Sequence, residues 1–537
     1  MSAFVDIPLE PAGVPIGRAM VERAEWAARA FASYDIESVR RIAKAAALAG
    51  EAHARELAEA AVAETGFGVA EHKFLKNVAC SIGIWNTYQH DDWVSPEIRE
   101  QDKIVEIPRP AGVVFALTPS TNPVATVMFK IMLCLLTRNA IIVSPHPFAK
   151  KCSADAARVM RDAAVAAGAP DGCIQVLQEP SIPLINALMT DDRVDVIVAT
   201  GGTPMVRSAY RSGNPAIGVG PGNVPVLVDG TADVGAAAAR IVASKSFDNS
   251  ILCTNESVLI VQESIAERLA KAMTKQGAYF LDEEQVARVC QVIFDQDHFN
   301  TAWVGKSAIQ IAAAAGVKVP KGTLVLVAPF ELVVPEQLLA HEKLCPVLGW
   351  VVVPDPQRGI RAAMAVLRIT GSGHSAAIHS EDPKTIMDFA ACVPVLRVAV
   401  NVGNSLGSAG IETNLAPTMT IGTGFFGRSS VGENLQPAHL VNRTRIAYNA
   451  DARVPMADFV GRDPWRPPLP PVPAYPIASN ADHAPPIVPA TNAGKLSVNG
   501  VNGVNGVNGV NGADGVDELR DEIRRMVIEE LRQIIRG

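Results

Sequence analysis

Charge is scarce in this sequence. Lys, Arg, Asp and Glu make up only 19% of its 537 residues, below the quarter or so usual for globular proteins. The balance is mildly acidic, −7 from 48 basic and 55 acidic side chains. No long Lys/Arg block interrupts it, so nucleic acid is not expected as the main partner. Long apolar runs are missing too. The longest, near Met128–Val143, is cut by Lys130, Arg138 and Asn139, which leaves no membrane span. The start, Met1–Pro15, carries Asp6 and Glu10 and no positive n-region, so a secretory signal is not expected and a cytoplasmic location is. The eight cysteines (80, 134, 152, 173, 253, 290, 345 and 392) form no CxxC pair, and no histidine joins them at metal-ligand spacing. They read as free thiols, with room for one reactive one, and no metal site is expected. A GxGxxG after the first strand is also lacking, which removes the standard dinucleotide fingerprint.

What is present is enough for large cores: 48% of the residues are hydrophobic, and the length suggests three to four domains. Gly17 to about Val460 reads as ordered globular protein. It opens with an Ala-rich helical region, Ala19–Ala63. Short β-branched runs then alternate with helical segments such as Ala149–Ala167 and Ile182–Met189. The runs are Gly112–Leu117, Ala140–Ser144, Cys173–Leu177, Val194–Ala199 and Val224–Val228. A second series follows: Val258–Val261, Leu324–Val327, Trp350–Val353, Ala376–His379 and Val395–Val402. Such βα alternation predicts an α/β protein with two domains built on parallel sheets covered on both faces. Beyond them, Arg462–Pro489 is dense in proline, and Val498–Gly512 repeats Val-Asn-Gly five times. These predict a stiff spacer and a flexible tether. Apolar residues from Val516 to Ile535 recur at three- and four-residue steps, the pattern of an amphipathic helix.

Two turns carry candidate chemistry. Phe247-Asp248-Asn249-Ser250-Ile251-Leu252-Cys253 sets a thiol in a polar turn between the helical run Val234–Lys245 and a strand. A thiolate stabilised by backbone N–H groups or nearby positive charge is a nucleophile. On composition alone a buried structural cysteine is the commoner case. Thr118-Pro119-Ser120-Thr121-Asn122-Pro123 follows the first strand, where active sites of parallel sheets form. Asn122 there reads either as an oxyanion donor or as the start of an Asn-Pro turn. His374, in the Gly-rich run Gly371–Ser375, is a further candidate or a turn histidine satisfied by backbone groups.

Taken in order, these segments resemble the aldehyde dehydrogenase superfamily, and within it the CoA-acylating branch. Phe247–Cys253 is similar to the nucleophile motif and Thr118–Pro123 to the anion-hole motif. Ala199-Thr200-Gly201-Gly202 resembles the nucleotide-contacting turn, and His341–Val347 the Glu-containing segment that holds the nicotinamide ribose. Gly422–Gly424 and Arg428–Asn449 also match. The resemblance implies Cys253, Asn122 and His374 as catalytic residues. It implies Thr118, Pro119, Ser144, His146, Thr200, Gly201, Gly202, Gly220 and Glu342 as contacts for NAD, with CoA as co-substrate. Two departures from hydrolytic relatives inform the chemistry. Gly218–Asn223 stands where those relatives carry a glutamate base, so a thioester on Cys253 would await a thiol rather than water; the other reading is that Glu256 or Glu342 supplies the base. Ser144 stands where many of them have the lysine that holds the adenosine ribose, which leaves NAD against NADP open, and Ser144 and His146 together resemble the CoA-acylating variant.

The domains implied are 17–235 for nucleotide binding (with an oligomerisation segment near 100–110) and 236–430 for the catalytic thiol. An oligomerisation segment at 431–455, a linker at 462–515 and a targeting helix at 516–537 follow. The expected reaction is oxidation of a short aldehyde, of the propionaldehyde or acetaldehyde class, to its acyl-CoA by a homo-oligomer. Tails like this one resemble the encapsulation peptides of bacterial-microcompartment relatives, implying that Val516–Arg536 binds shell or cargo proteins and that the enzyme works in the microcompartment lumen. A helix that folds back on its own enzyme, or pairs between subunits, is the other reading. Alternatives for the whole chain are a hydrolytic dehydrogenase releasing free acid and a non-catalytic cargo scaffold. A bifunctional alcohol-forming relative would need a further metal-dependent domain, for which no sequence remains.

Overall fold

The computed structural model describes residues 11–464. The Val-Asn-Gly repeat, the 516–537 helix and the proline-rich stretch beyond 464 lie outside the described residues. The Ala-rich opening is not one helix but three, α1 (Val14–Phe31), α2 (Ile36–Ala52) and α3 (Ala54–Thr65). The first break has a local cause: the Asp35 side chain accepts from the Ser38 N–H at 2.7 Å and starts α2 afresh, as an N-cap does. A short helix, α4 (Ala70–Val78), follows.

Five parallel strands make the first sheet: β1 (Val113–Leu117), β2 (Ala140–Ser144), β3 (Ile174–Val176), β4 (Val196–Thr200) and β5 (Ala216–Val219). Their order is β3-β2-β1-β4-β5. All residues of β1 and β2 are buried, as expected of strands covered on both faces. The helix Pro123–Leu136, buried along its whole length, closes one face. Its Lys130 donates to Leu117 O at 2.7 Å and Val198 O at 2.9 Å, tying β1 to β4. Between these two strands the strand order reverses, and crevices for ligands open at such a reversal.

The second sheet has seven parallel strands: β6 (Val224–Val228), β7 (Glu256–Gln262), β8 (Ala278–Phe280), β9 (Val325–Pro329), β10 (Val347–Val353), β11 (Ala376–His379) and β12 (Val398–Val400). They run in the order β8-β9-β10-β7-β6-β11-β12. One expectation is corrected here. Val224–Val228, read from sequence as the fifth strand of the first series, pairs with β7 and β11 in the second sheet. The true fifth strand, β5, is a short Ala-Ile-Gly-Val run flanked by Asn-Pro and glycines, which hid it. The chain therefore changes sheets between Val219 and Val224, ahead of the division at 235. A third, antiparallel sheet joins Glu97–Arg99, Ile104–Pro110 and Val441–Ala447, so the two segments read as oligomerisation elements lie side by side. Among the described residues no helix is long and apolar enough to cross a membrane.

Candidate active site

Cys253 sits between the helix Val234–Ser246 and β7, in a turn with three successive non-glycine residues in the left-handed region: Asp248, Asn249 and Ser250, with φ of 50°, 52° and 61°. Each such residue costs roughly 1–2 kcal/mol, so the turn must be held from outside. Asn249 donates to Gly305 O at 2.9 Å, Leu252 N donates to Asn255 Oδ1 at 2.8 Å, and Thr254 Oγ1 donates to Ser405 O at 2.9 Å. The Asp248 carboxylate accepts from Val69 N at 2.6 Å and from Lys73 at 3.1 Å. It also accepts from Lys76.

The turn presents Cys253, half-buried, to a cavity of about 500 Å³. Asn122 reaches the same wall from the end of β1, and Glu342 from the segment before β10. Thr118, Pro119, Ser144, His146, Thr200, Gly201, Gly202 and Gly220 line the rest. They stand at the carboxyl ends of β1, β2, β4 and β5, as the order reversal requires. Thr118 Oγ1, Thr126 Oγ1 and Ser144 Oγ are buried on this wall with no partner among the described residues. Such orphaned hydroxyls suit a polar ligand that supplies their missing bonds. The N-terminus of the helix Thr203–Arg211 follows Gly202 at the cavity edge, and its backbone N–H groups suit an anion. A dinucleotide fits this wall.

His374 does not line the cavity. It is fully buried, with Nδ1 3.0 Å from Ser375 Oγ, and its Nε2 has no partner among the described residues. Burial and then Arg397 push it down to about 3, so it is neutral. Its link to the site is indirect: Asn404 Nδ2 donates to Ser375 Oγ at 3.0 Å and to Thr254 O at 2.7 Å.

The electrostatics differ from the sequence expectation of a stabilised thiolate. Burial first, and then the Glu342 carboxylate, push the Cys253 thiol up to about 12, against the pull of its own backbone N–H, Arg397 and Lys76. Burial also raises Glu342 to about 8, opposed by the Gly222 N–H, Lys245 and Lys343. Glu342 is the one carboxylate among the described residues that line the cavity. Gly218–Asn223 passes directly beneath it. A Cβ on Gly222 would stand 2.0 Å from Cys253 O and 3.4 Å from Glu342 Oε1, whereas one on Gly220 would meet nothing within 4 Å. The stretch is thus crowded at Gly222 but open at Gly220, and it supplies no carboxylate. Lys73 and Lys76 were not singled out from sequence. On a short helix, lysines three residues apart read as a solvated face, and their partner is 175 and 172 residues away. Among the described residues no group of three His, Cys, Asp or Glu could hold a metal ion.

A half-buried thiol and a side-chain amide on one wall, at the order reversal of a parallel sheet, define a class: two-sheet α/β proteins with a cysteine beside a nucleotide crevice. The chain belongs to the aldehyde dehydrogenase family, whose model matches residues 16–413. It is 38% identical over 440 residues to the bifunctional aldehyde-alcohol dehydrogenase of Escherichia coli, covering 81% of this chain and 49% of that one. It thus spans about half the length of that curated relative. The solved structure of an acetylating aldehyde dehydrogenase from Geobacillus thermoglucosidasius is similar over 81% of this chain and 97% of that one, with 38% identity and a TM-score of 0.80. A propionaldehyde dehydrogenase from the fucose-utilisation microcompartment of Clostridium phytofermentans shares 26% identity, with a TM-score of 0.74, over 80% of this chain and 97% of that one.

Proposed function

We propose that this protein oxidises a short aldehyde and passes the acyl group to coenzyme A, with NAD as the hydride acceptor. One observation carries the reading. Cys253 and Asn122 share a cavity wall on which Glu342 is the sole carboxylate among the described residues, and the Gly218–Asn223 stretch contributes no carboxylate of its own. With Glu342 engaged at the nicotinamide ribose, no further carboxylate on the wall can activate water, which is then a poor acyl acceptor at neutral pH, whereas a thiol needs little activation. The name of the Geobacillus relative, acetylating, supports the same outcome.

In this reading the thiolate form of Cys253, its proton released to solvent, bonds through its sulfur to the aldehyde carbon. The carbonyl oxygen takes up negative charge between the Cys253 backbone N–H and the Asn122 amide. Bound NAD supplies the hydride acceptor. The Thr118, Ser144 and Thr200–Gly202 wall would hold it, with Glu342 at the nicotinamide ribose. The acyl group is left on Cys253 as a thioester, and the CoA thiol takes it and returns the sulfur. His374, buried and neutral, acts through Ser375 and Asn404 on the nucleophile turn.

The test is NADH formation from propionaldehyde and NAD, with and without CoA, followed by identification of the product. Propionyl-CoA formed only when CoA is present supports the reading. Sustained CoA-independent turnover to propionate replaces it with a hydrolytic dehydrogenase, and no turnover with any short aldehyde and either nicotinamide cofactor leaves a cargo scaffold. The microcompartment setting is a further part of the proposal, supported by the pattern of Val516–Arg536 and the origin of the Clostridium relative. Deleting 516–537 should leave turnover intact and abolish co-sedimentation with shells. A truncation that instead breaks up a homo-oligomer would overturn this setting.

A further inference from the structure

Helix α4 carries charge where little is expected. Lys73 and Lys76 are 3% and 2% exposed, and both point at the fully buried Asp248. The contact is built from both sides. Val69 N donates to Asp248 Oδ1, and Asp248 N donates to His72 Nδ1 at 2.8 Å. The His72 ring stacks on Phe247 with centroids 4.6 Å apart. Gly68, at φ +76°, has no room for a Cβ, which would fall 2.1 Å from Asp248 Oδ1. His72, Lys73 and Lys76 of α4 are thus committed to the turn that presents Cys253, while the buried Asn77 ties the helix to α3 by donating to Ala54 O at 2.9 Å.

Two ammonium groups on one carboxylate leave one positive charge in excess. It is spent on two carbonyl oxygens just after β1. Lys73 donates to Thr121 O at 3.2 Å, and Lys76 donates to Asn122 Oδ1. The second bond has a consequence for the cavity. An ammonium offers donors only, so the Asn122 amide must turn its oxygen to Lys76 and its NH2 away. The flipped amide would set donor against donor. In the observed orientation Nδ2 has only a long bond, 3.3 Å to Thr121 Oγ1, and remains available on the wall that Cys253 shares. A cation on the amide oxygen also polarises the group and strengthens its N–H as a donor.

We infer that Lys76 is the positioning residue of the oxyanion site: held by Asp248 on the nucleophile turn, it fixes the Asn122 amide with its donor toward the reacting carbonyl. This rests on the proposed reading of Cys253 and Asn122. It makes α4 a single clamp on both the nucleophile turn and the donor. Burial works against the Asp248 carboxylate, but Lys76 and Lys73 hold its pKa low. Burial pushes Lys76 itself down to about 8 against the pull of Asp248, which leaves the pair charged at neutral pH.

The test is a double-mutant cycle between Lys76 and Asn122, read in kcat and in KM for propionaldehyde, with CoA and NAD saturating. Lys76→Met keeps the length and removes the donor. It is expected to lower kcat by about 10- to 100-fold while KM changes by less than about 3-fold, since the interaction matters in the transition state alone. In the Asn122→Ala background the same change should lower kcat by less than about 3-fold, because nothing is left to position. Lys76→Gln, whose amide can still donate to Asn122 Oδ1, should recover part of the loss, and it replaces Lys76→Met in the cycle if that variant does not fold. A loss of equal size with and without Asn122, or no loss in either variant, overturns the inference. Absence of CoA-dependent turnover in the unmodified protein would instead sink the reading on which it rests.

Discussion

Gly222→Ala is the smallest change that should disable this site. The new methyl carbon would lie 2.0 Å from the Cys253 carbonyl oxygen and 3.0 Å from its carbon. Carbon–oxygen contacts settle at about 3.3 Å, so one backbone must yield by roughly 1.3 Å. The Gly222 side cannot yield easily. Its neighbour Asn223 is buried and donates to Ala340 O at 2.9 Å and Val366 O at 3.2 Å. Its other contact, the Gly222 N–H on Glu342, would be disturbed by the same shift. The Cys253 carbonyl therefore moves, and the nucleophile with it. A displacement of about 1 Å at a reacting group costs on the order of 10²-fold in rate, and overpacking of this kind typically costs about 1–3 kcal/mol in stability. Steady-state kcat/KM with CoA, NAD and propionaldehyde should fall about 100-fold, beside a modest drop in melting temperature. Gly322→Ala is the control, because a Cβ there meets nothing within 4 Å. If Gly222→Ala kept its rate within about 3-fold of the unmodified protein, the crowding argument and the assignment of Cys253 to the reacting position would both fail.

Further outcomes follow from the same geometry. Asn122→Ala should lower kcat by about 10²–10³-fold, the loss typical of one oxyanion donor, and steady-state turnover measures it. Alkylation of Cys253 by iodoacetamide should be slow at pH 7 and rise through pH 9, because the thiol is pushed up to about 12 and only the thiolate reacts. Glu342→Gln should leave that rate nearly unchanged below pH 8, where Glu342 is largely protonated. Above pH 8 it should speed alkylation, since the carboxylate that repels the thiolate is gone; mass spectrometry of the labelled cysteine decides. Lys130 is pushed down to about 7 by burial, so between pH 7 and its unfolded pKa near 10 the unfolded chain binds more protons than the folded one. The Lys130 contribution to stability therefore rises with pH over that window, and the gap in melting temperature between the unmodified protein and Lys130→Met should shift in favour of the former from pH 7 to 9.

Most of the framework was legible because it is written in local pattern. The β-branched runs at 140–144, 224–228 and 376–379 coincide with strands residue for residue. Each candidate nucleotide-contact residue falls on the cavity wall, because residues after a strand of a parallel sheet have nowhere else to go. What escaped was set by long-range packing. β5 is short and glycine-bearing, so its pairing with β4 decides it rather than its own propensity. His374 was readable as a loop histidine, yet Arg397 donating to its carbonyl at 2.9 Å and its own complete burial remove it from the cavity. The Lys76–Asp248 pair was unreadable for the same reason: a lysine on a short helix advertises nothing about a carboxylate 172 residues away.

The raised thiol and the waiting donor belong to one design. A site that stabilised a thiolate strongly at rest would lower the ground state as much as the transition state, with no gain in rate. Here burial makes negative charge unwelcome on the Cys253 sulfur, and Glu342 adds to this above pH 8, where it is ionised. At the opposite end of the reacting system, the Asn122 oxygen is already taken by Lys76 and its N–H groups are unspent apart from one long contact. In the proposed reaction, bond formation moves charge from the disfavoured sulfur to the carbonyl oxygen beside that donor. The gain therefore appears only as the carbon–sulfur bond forms, which is the condition for raising kcat rather than tightening binding. The same logic explains why a resting thiol survives beside a cavity: with its pKa pushed up to about 12, nearly all of it keeps its proton at neutral pH.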